Sequence, residues 1–246
     1  MNGSIVSKTY GLNADLLPAT TDNTDIYRVA YQTLFGVAPE AAAPNLVAGT
    51  SGDDLLLAGV PGANIDGTSD TIFTGAGEDE VDLAIAGATG LGNNRVNAGS
   101  GDDTIFVSDR DRVFGSSGND IIEATEAERY RVSGGDGDDT FFLGNNGRAL
   151  GGNGNDIFFV EGGGDNIIAG GEGADQFWIA SGDLPSNSNT VIDFNVDEDV
   201  IGLISTGLSF SDLALSGNEI SVDGAVIATL AGVDTSTLTE ASFAFV

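Results

Sequence analysis

Between Gly49 and Trp178 apolar residues come in short bursts. One series stands two positions after an aspartate: Leu56, Val81, Ile105, Ile122, Phe141, Phe158 and Phe177. A second series, Val96, Val113, Val132, Ala149 and Ile168, falls between them, each two residues before a glycine- or alanine-led turn. Alternation of this kind predicts short strands with one face turned inward. The stretch Asp25–Phe35 differs. Its apolar residues Ile26, Val29, Ala30 and Leu34 have helical spacing, with Asp22 or Thr24 to cap the start and Gly36 and Pro39 to end it. Beyond Ser181, LSFSDLALSGNEISVDGAVIATLAGV reads as further short strands.

The turns between bursts repeat. GTSGDDLLL starts at Gly49, TGAGEDEVD at Thr74, AGSGDDTIF at Ala98 and GSSGNDIIE at Gly115. GGDGDDTFF follows at Gly134, GGNGNDIFF at Gly151 and GGEGADQFW at Gly170, with a degenerate copy, EGGGDNIIA, at Glu161. The template is G-G-x-G-x-D-x-U-x, with U large and apolar. From Ala98 onward the copies are 17, 19, 17 and 19 residues apart, which is two nonapeptides rather than one. Each coil therefore has one glycine–aspartate turn and one irregular turn. The two earlier coils carry expanded far turns, AGVPGANIDGTSD and AIAGATGLGNN.

This template resembles the nonapeptide calcium-binding repeats of the RTX (haemolysin-type) family. The resemblance covers roughly Ala48 to Trp178 and implies an all-β fold: a right-handed parallel β-roll whose glycine turns aim carbonyl oxygens at cations. Calcium takes six to eight oxygens, more than one turn supplies, so two stacked turns must share an ion. The expected ligands are Asp54, Asp79, Asp103, Asp120, Asp139, Asp156 and Asp175. The turn glycines are Gly52, Gly77, Gly101, Gly118, Gly137, Gly154 and Gly173. Seven turns on one edge leave about six gaps, hence about six calcium ions. The far edge is expected to hold few or none, since its one near-template turn has Asn166 in place of aspartate. With only two inward columns the core looks narrow, and metal would then supply much of the folding free energy.

Composition narrows the function. Of 246 residues 37 are glycine, and there is no cysteine and no histidine. Disulfides, thiolate metal sites and His-based catalysis are excluded. With 8 Lys and Arg against 38 Asp and Glu, the formal charge is −30. Nucleic acid is a poor partner for such a chain. No apolar stretch is long enough for a membrane helix. HExxH and GxSxG are both missing, and about 45 residues precede the repeats, too few for a catalytic domain. A carboxylate pair is available, but calcium accounts for the roll's aspartates. A threonine ladder for ice is poor, since the seventh template position holds two threonines in seven.

Three segments are expected: 1–45 as a helical cap, 46–180 as the roll, and 181–246 as a C-terminal β cap. In the last, Val191-Ile-Asp-Phe194 resembles the segment that closes RTX rolls, and Asp193, Asp197 or Asp199 is expected to complete the final site. The N-terminus has neither the basic start nor the apolar core of a secretory signal. The resemblance instead links the tail Leu238–Val246, which also reads as a final edge strand, to type I secretion. An extracellular or cell-surface location follows, with a surface-coat, matrix or adhesion role. A soluble calcium buffer or an accessory module of an exported enzyme are the alternatives.

Two surface features complete the reading. Phe106, Phe142, Phe159 and Trp178 occupy the outward ninth position and predict an exposed aromatic stripe, covered by the termini or used for adhesion. Arg95, Arg112, Arg131 and Arg148 each precede a turn by three residues and predict an outward column, with Arg110 and Arg129 beside it. Either Asp109, Asp111, Glu126 and Glu128 neutralise them, or they dock an anion such as an acidic cell-surface polysaccharide or a second copy of the chain.

Overall fold

A computed structural model describes residues 45–60, 65–85, 91–161 and 163–246. The expected helix at Asp25–Phe35 lies outside them. The chain divides into two units, Met1–Pro44 and Asn45–Val246, and only the second is described.

Its strands form two parallel sheets that the chain visits alternately. Sheet A contains β1 (Leu46–Ala48), β3 (Thr71–Ala76), β5 (Arg95–Ser100), β7 (Arg112–Ser117), β9 (Arg131–Asp136), β11 (Arg148–Asn153), β13 (Ile167–Glu172) and β15 (Asn189–Val191). Sheet B contains β2 (Leu55–Leu57), β4 (Glu80–Asp82), β6 (Thr104–Phe106), β8 (Ile121–Glu128), β10 (Thr140–Asn145), β12 (Ile157–Val160), β14 (Gln176–Ser181) and β16 (Val200–Ile204). Within each sheet successive members pair in parallel, so every two strands make one coil of a β-roll. Sheet A then ends in an antiparallel meander, β19 (Ala225–Leu230), β18 (Glu219–Val222) and β17 (Leu213–Ser216). Sheet B ends on β20 (Phe243–Phe245), which pairs in parallel with β16. Residues 181–246 thus continue both sheets.

Because the pairing is in register, like side chains stack on like. Val81, Ile105, Ile122, Phe141, Phe158 and Phe177 form one inward column, fully buried. Ile72, Val96, Val113, Val132, Ala149 and Ile168 form the facing column. Leu56, in the first coil, is only half-buried. Strands from neighbouring coils lie about 4.8 Å apart, a spacing that suits offset ring stacking. Phe141 and Phe158 have centroids 4.6 Å apart at 9°, and Phe158 and Phe177 are 5.3 Å apart at 4°.

The core is wider than two columns. The chain turns inward again two residues past the template's apolar position, and Leu83, Val107, Ala124, Leu143, Val160 and Ile179 make a third buried column. The nonapeptide template ends before this position, so the repeat pattern alone did not show it. The expected aromatic stripe is also corrected. Phe106, Phe142, Phe159 and Trp178 are half-buried, and Glu123 stands in register between Phe106 and Phe142. Phe142, Phe159 and Trp178 stack on one another, and the Trp178 ring lies over Gly202, where any Cβ would collide with it.

Candidate metal centre

Along one edge the turns from sheet A to sheet B stack the sixth-position aspartates into a row. Each backbone N–H in the row donates to the Oδ1 of the next coil's aspartate. The donors are Asp54, Asp79, Asp103, Asp120, Asp139, Asp156 and Asp175, at 2.7 to 3.0 Å. The last of these bonds goes to Asp199, so Asp199 is the eighth member of the row. Asp193 is not a member of the row but stands beside its end, where, after burial, its charge helps raise the carboxyls of Asp175 and Asp199, and it accepts the N–H groups of Gly170 and Gly171. Asp197 is exposed.

The glycines make this stacking possible. Gly77, Gly101, Gly118, Gly137, Gly154 and Gly173 all have φ between 121° and 139°, where an L side chain is strained. A Cβ on Gly118 would also strike the carbonyl of Gly101, and one on Gly137 that of Gly118. Gly52 departs from this pattern: its φ is not positive, and a Cβ there would meet nothing.

Each aspartate uses one oxygen for the row. The other oxygens, Oδ2 of Asp79, Asp103, Asp120, Asp139, Asp156 and Asp175, are buried and have no hydrogen-bond partner. Asp54 differs, since its Oδ2 accepts from Thr50 N at 2.6 Å. A buried carboxylate oxygen without a donor needs a cation or a proton. Burial accordingly pushes the carboxyls of Asp103, Asp120 and Asp175 up to about 6, and those of Asp139 and Asp156 up to about 7. The row's backbone N–H bonds pull the other way, and neighbouring carboxylates add to the rise. Asp199 is raised as well, again chiefly by burial.

The orphaned oxygens face first-position glycines. A Cβ on Gly115, Gly134, Gly151 or Gly170 would collide with the Oδ2 of Asp120, Asp139, Asp156 or Asp175. At Gly115 and Gly151 it would also crowd the carbonyl of the next coil's glycine, Gly134 or Gly170. The cradle therefore holds one carboxylate oxygen and carbonyl oxygens from adjacent coils. Among the described residues no three acidic side chains converge on one point. A cation here would draw most of its ligands from carbonyls, an arrangement that suits a hard ion such as calcium and not a soft one.

A second row escaped the sequence reading. Fifth-position side chains bond in the opposite direction: Asp102 accepts from Asn119 N, Asn119 from Asp138 N, Asp138 from Asn155 N and Asn155 from Ala174 N, at 2.7 to 3.0 Å. The Asp or Asn before five of the seven sixth-position aspartates was its signal.

The far edge is also an Asx row, but its carboxylate oxygens are satisfied, and its one buried unpartnered atom among the described residues is a donor, Asn189 Nδ2. Asp70 N bonds Asn94 Oδ1, and Asn94 N bonds Asp111 Oδ1, at 2.9 and 2.7 Å. The second oxygens are taken too. Asp70 Oδ2 accepts from Gly67 N, and Asp111 Oδ2 from Ser108 N. In later coils Tyr130 and Gly147 replace the aspartate. The Tyr130 ring packs where a Gly147 Cβ would stand, and its hydroxyl donates to Asn166 Oδ1 at 3.1 Å. Protein groups thus occupy the coordinating positions on this edge.

Arg95, Arg112, Arg131 and Arg148 are register partners in adjacent strands, and all are exposed. The expected neutralisation by Asp111 is not what the structure shows. That carboxylate is buried and bound to backbone, and among the described residues none of these arginines has a carboxylate within 4.0 Å.

Residues 107–126 and 131–147 match the family model described as the RTX calcium-binding nonapeptide repeat, in four copies. These residues carry Asp120 and Asp139 at the middle of the near-edge row. No curated protein matches the chain. The matched unit is a calcium-binding one, not a catalytic one. Repeat match, parallel coils and buried aspartate row agree: residues 107–126 and 131–147 are similar to RTX calcium-binding nonapeptide repeats, and they lie within a chain wound into a parallel β-roll.

Proposed function

We propose that the protein is an exported roll that folds on binding about six calcium ions along its aspartate edge. The six buried, unpartnered Oδ2 atoms carry this reading. Asp79, Asp103, Asp120, Asp139, Asp156 and Asp175 would hold the ions together with glycine carbonyls of adjacent turns, and Asp199 would close the last site. Where calcium is scarce the carboxylates repel and the chain is poorly folded. At extracellular calcium, near the ~10⁻⁴–10⁻³ M affinities of extracellular modules, the coils zip together. Neighbouring sites share a turn, so binding is cooperative. Release outside the cell by a C-terminal signal, followed by a surface-coat, matrix or adhesion role, fits such a switch. No helix among the described residues is long and apolar enough to cross a membrane.

Circular dichroism with calcium and with chelator tests the switch, and native mass spectrometry counts the ions. A strand-rich spectrum unchanged by chelator refutes calcium-coupled folding. A count near twelve refutes a single binding edge. Fractionation of producing cells into envelope, medium and cytosol separates a surface role from that of a soluble buffer.

A further inference from the structure

The chain has 8 basic residues against 38 acidic ones, and the six within residues 45–246 gather at one place. Arg95, Arg112, Arg131 and Arg148 form a straight outward column on sheet A. Arg110 and Arg129 stand in the adjoining turns at φ 61°, where other coils place Ser69, Asn93, Asn146 and Asp165. The left-handed conformation favours Asn and Asp over Arg. All six are arginine, the side chain whose planar fork grips a carboxylate through two parallel hydrogen bonds. Of the four nearby carboxylates, Asp111 is engaged with Asn94 N and Ser108 N, and Asp109 with Glu128 N at 2.9 Å, while Glu126 and Glu128 form no ion pair with any of the six arginines among the described residues. The column starts the strands that lead into the aspartate turns, and the cradle glycines Gly115, Gly134 and Gly151 lie three residues on from Arg112, Arg131 and Arg148, roughly 10 Å at 3.3 Å per residue. That is about the ~8–10 Å screening length of physiological salt, so the exposed arginines and the calcium row interact only weakly.

Beside the column runs an apolar groove of about 460 Å³. Phe114, Leu150 and Ile192 wall it and are 48%, 46% and 49% exposed. Arg112, Arg131 and Arg148 line its other side. The occupant must therefore be linear, anionic at regular intervals and apolar on one face. A second copy laid on the same face would set arginine against arginine. Nucleic acid is repelled by the rest of the molecule.

We propose that this face binds a carboxylated polysaccharide, a reading that rests on the calcium-folded roll described above. A sugar ring is about as long as one inter-coil step of ~4.8 Å, so successive uronate carboxylates meet successive guanidiniums. The C–H faces of the same rings lie against Phe114 and Leu150.

The test uses the full chain in calcium, with folding checked by circular dichroism and ion count. Oligoglucuronate long enough to span the column is titrated by calorimetry, with oligoglutamate of equal charge and phosphatidylglycerol vesicles as comparators. Oligoglucuronate binds best, and binding weakens as salt shortens the screening length. Arg112→Gln with Arg131→Gln weakens it roughly ten-fold or more, the loss of about 1.4 kcal/mol or more of ion pairing. Phe114→Ser with Leu150→Ser also weakens it, and calcium stoichiometry is unchanged in both variants. Equal binding of oligoglutamate, preference for the vesicles, or unchanged binding by the arginine variant overturns the proposal. A wild-type chain that calcium fails to fold sinks the calcium reading and this one with it.

Discussion

Asp139→Asn separates a metal ligand from a structural hydrogen bond, because its sign depends on calcium. The asparagine keeps Oδ1, and with it the 2.7 Å bond from Asp120 N. It replaces the orphaned Oδ2 with an amide that coordinates no cation. Without calcium at pH 8, wild type must bury a carboxylate whose pKa is held at about 7 mainly by burial. Removing that charge stabilises the metal-free roll, although the new N–H₂ stays buried without a partner at a cost of ~1–3 kcal/mol. The gain in chelator is therefore small. With calcium the effect reverses. One site at ten to a hundred times its Kd contributes ~1.4–2.7 kcal/mol, and that amount is lost. Thermal melts in calcium and in chelator, with an ion count, read both signs. The expected result is a lower Tm with calcium, an equal or higher one without it, and fewer ions bound. Equal destabilisation in both conditions would show that the row is held by hydrogen bonds alone.

Three further predictions follow from the same geometry. Asp111→Asn on the far edge sets an N–H₂ against Ser108 N–H, so it destabilises the roll by ~1–3 kcal/mol with or without calcium and leaves the ion count unchanged. Gly134→Ala drives a methyl into the Asp139 carboxylate, so it lowers the ion count and raises the calcium concentration needed for half-folding, read by circular dichroism. The third concerns pH. The carboxyls of Asp103, Asp120, Asp139, Asp156 and Asp175 are raised to about 6–7 in the fold, against ~3.9 in an unfolded chain. The decalcified fold thus takes up protons that the unfolded chain releases. Its extra stability is complete below pH ~4 and is lost as pH rises through 6–7. Decalcified protein should melt higher at pH 5 than at pH 8, and half-folding should need more calcium at pH 6 than at pH 8. A decalcified Tm that rises from pH 5 to pH 8 would contradict the burial argument.

The sequence by itself determined whatever repeats with the coil. The glycine–aspartate template, with apolar residues two positions after each aspartate, was enough to place seven aspartates on one edge and both facing columns inward. Parallel stacking copies each position onto the next, so periodicity in sequence becomes adjacency in space. The arginine column was legible for the same reason. The tertiary structure decided what depends on contacts between unlike segments. Leu83, Val107 and Leu143 widen the core from positions beyond the template. Asp199 joins the row from a turn that has none of the template's glycines, through pairing of β14 with β16. The two edges also differ for a reason no spacing reveals. Asp111 and Asp139 occupy equivalent sixth positions and both are buried. The Asp111 turn aims the Ser108 N–H at the second oxygen, while the glycine turn at Asp139 leaves that oxygen open beside Gly134. Whether an aspartate is closed by backbone or left for a cation is set by the path of the turn around it.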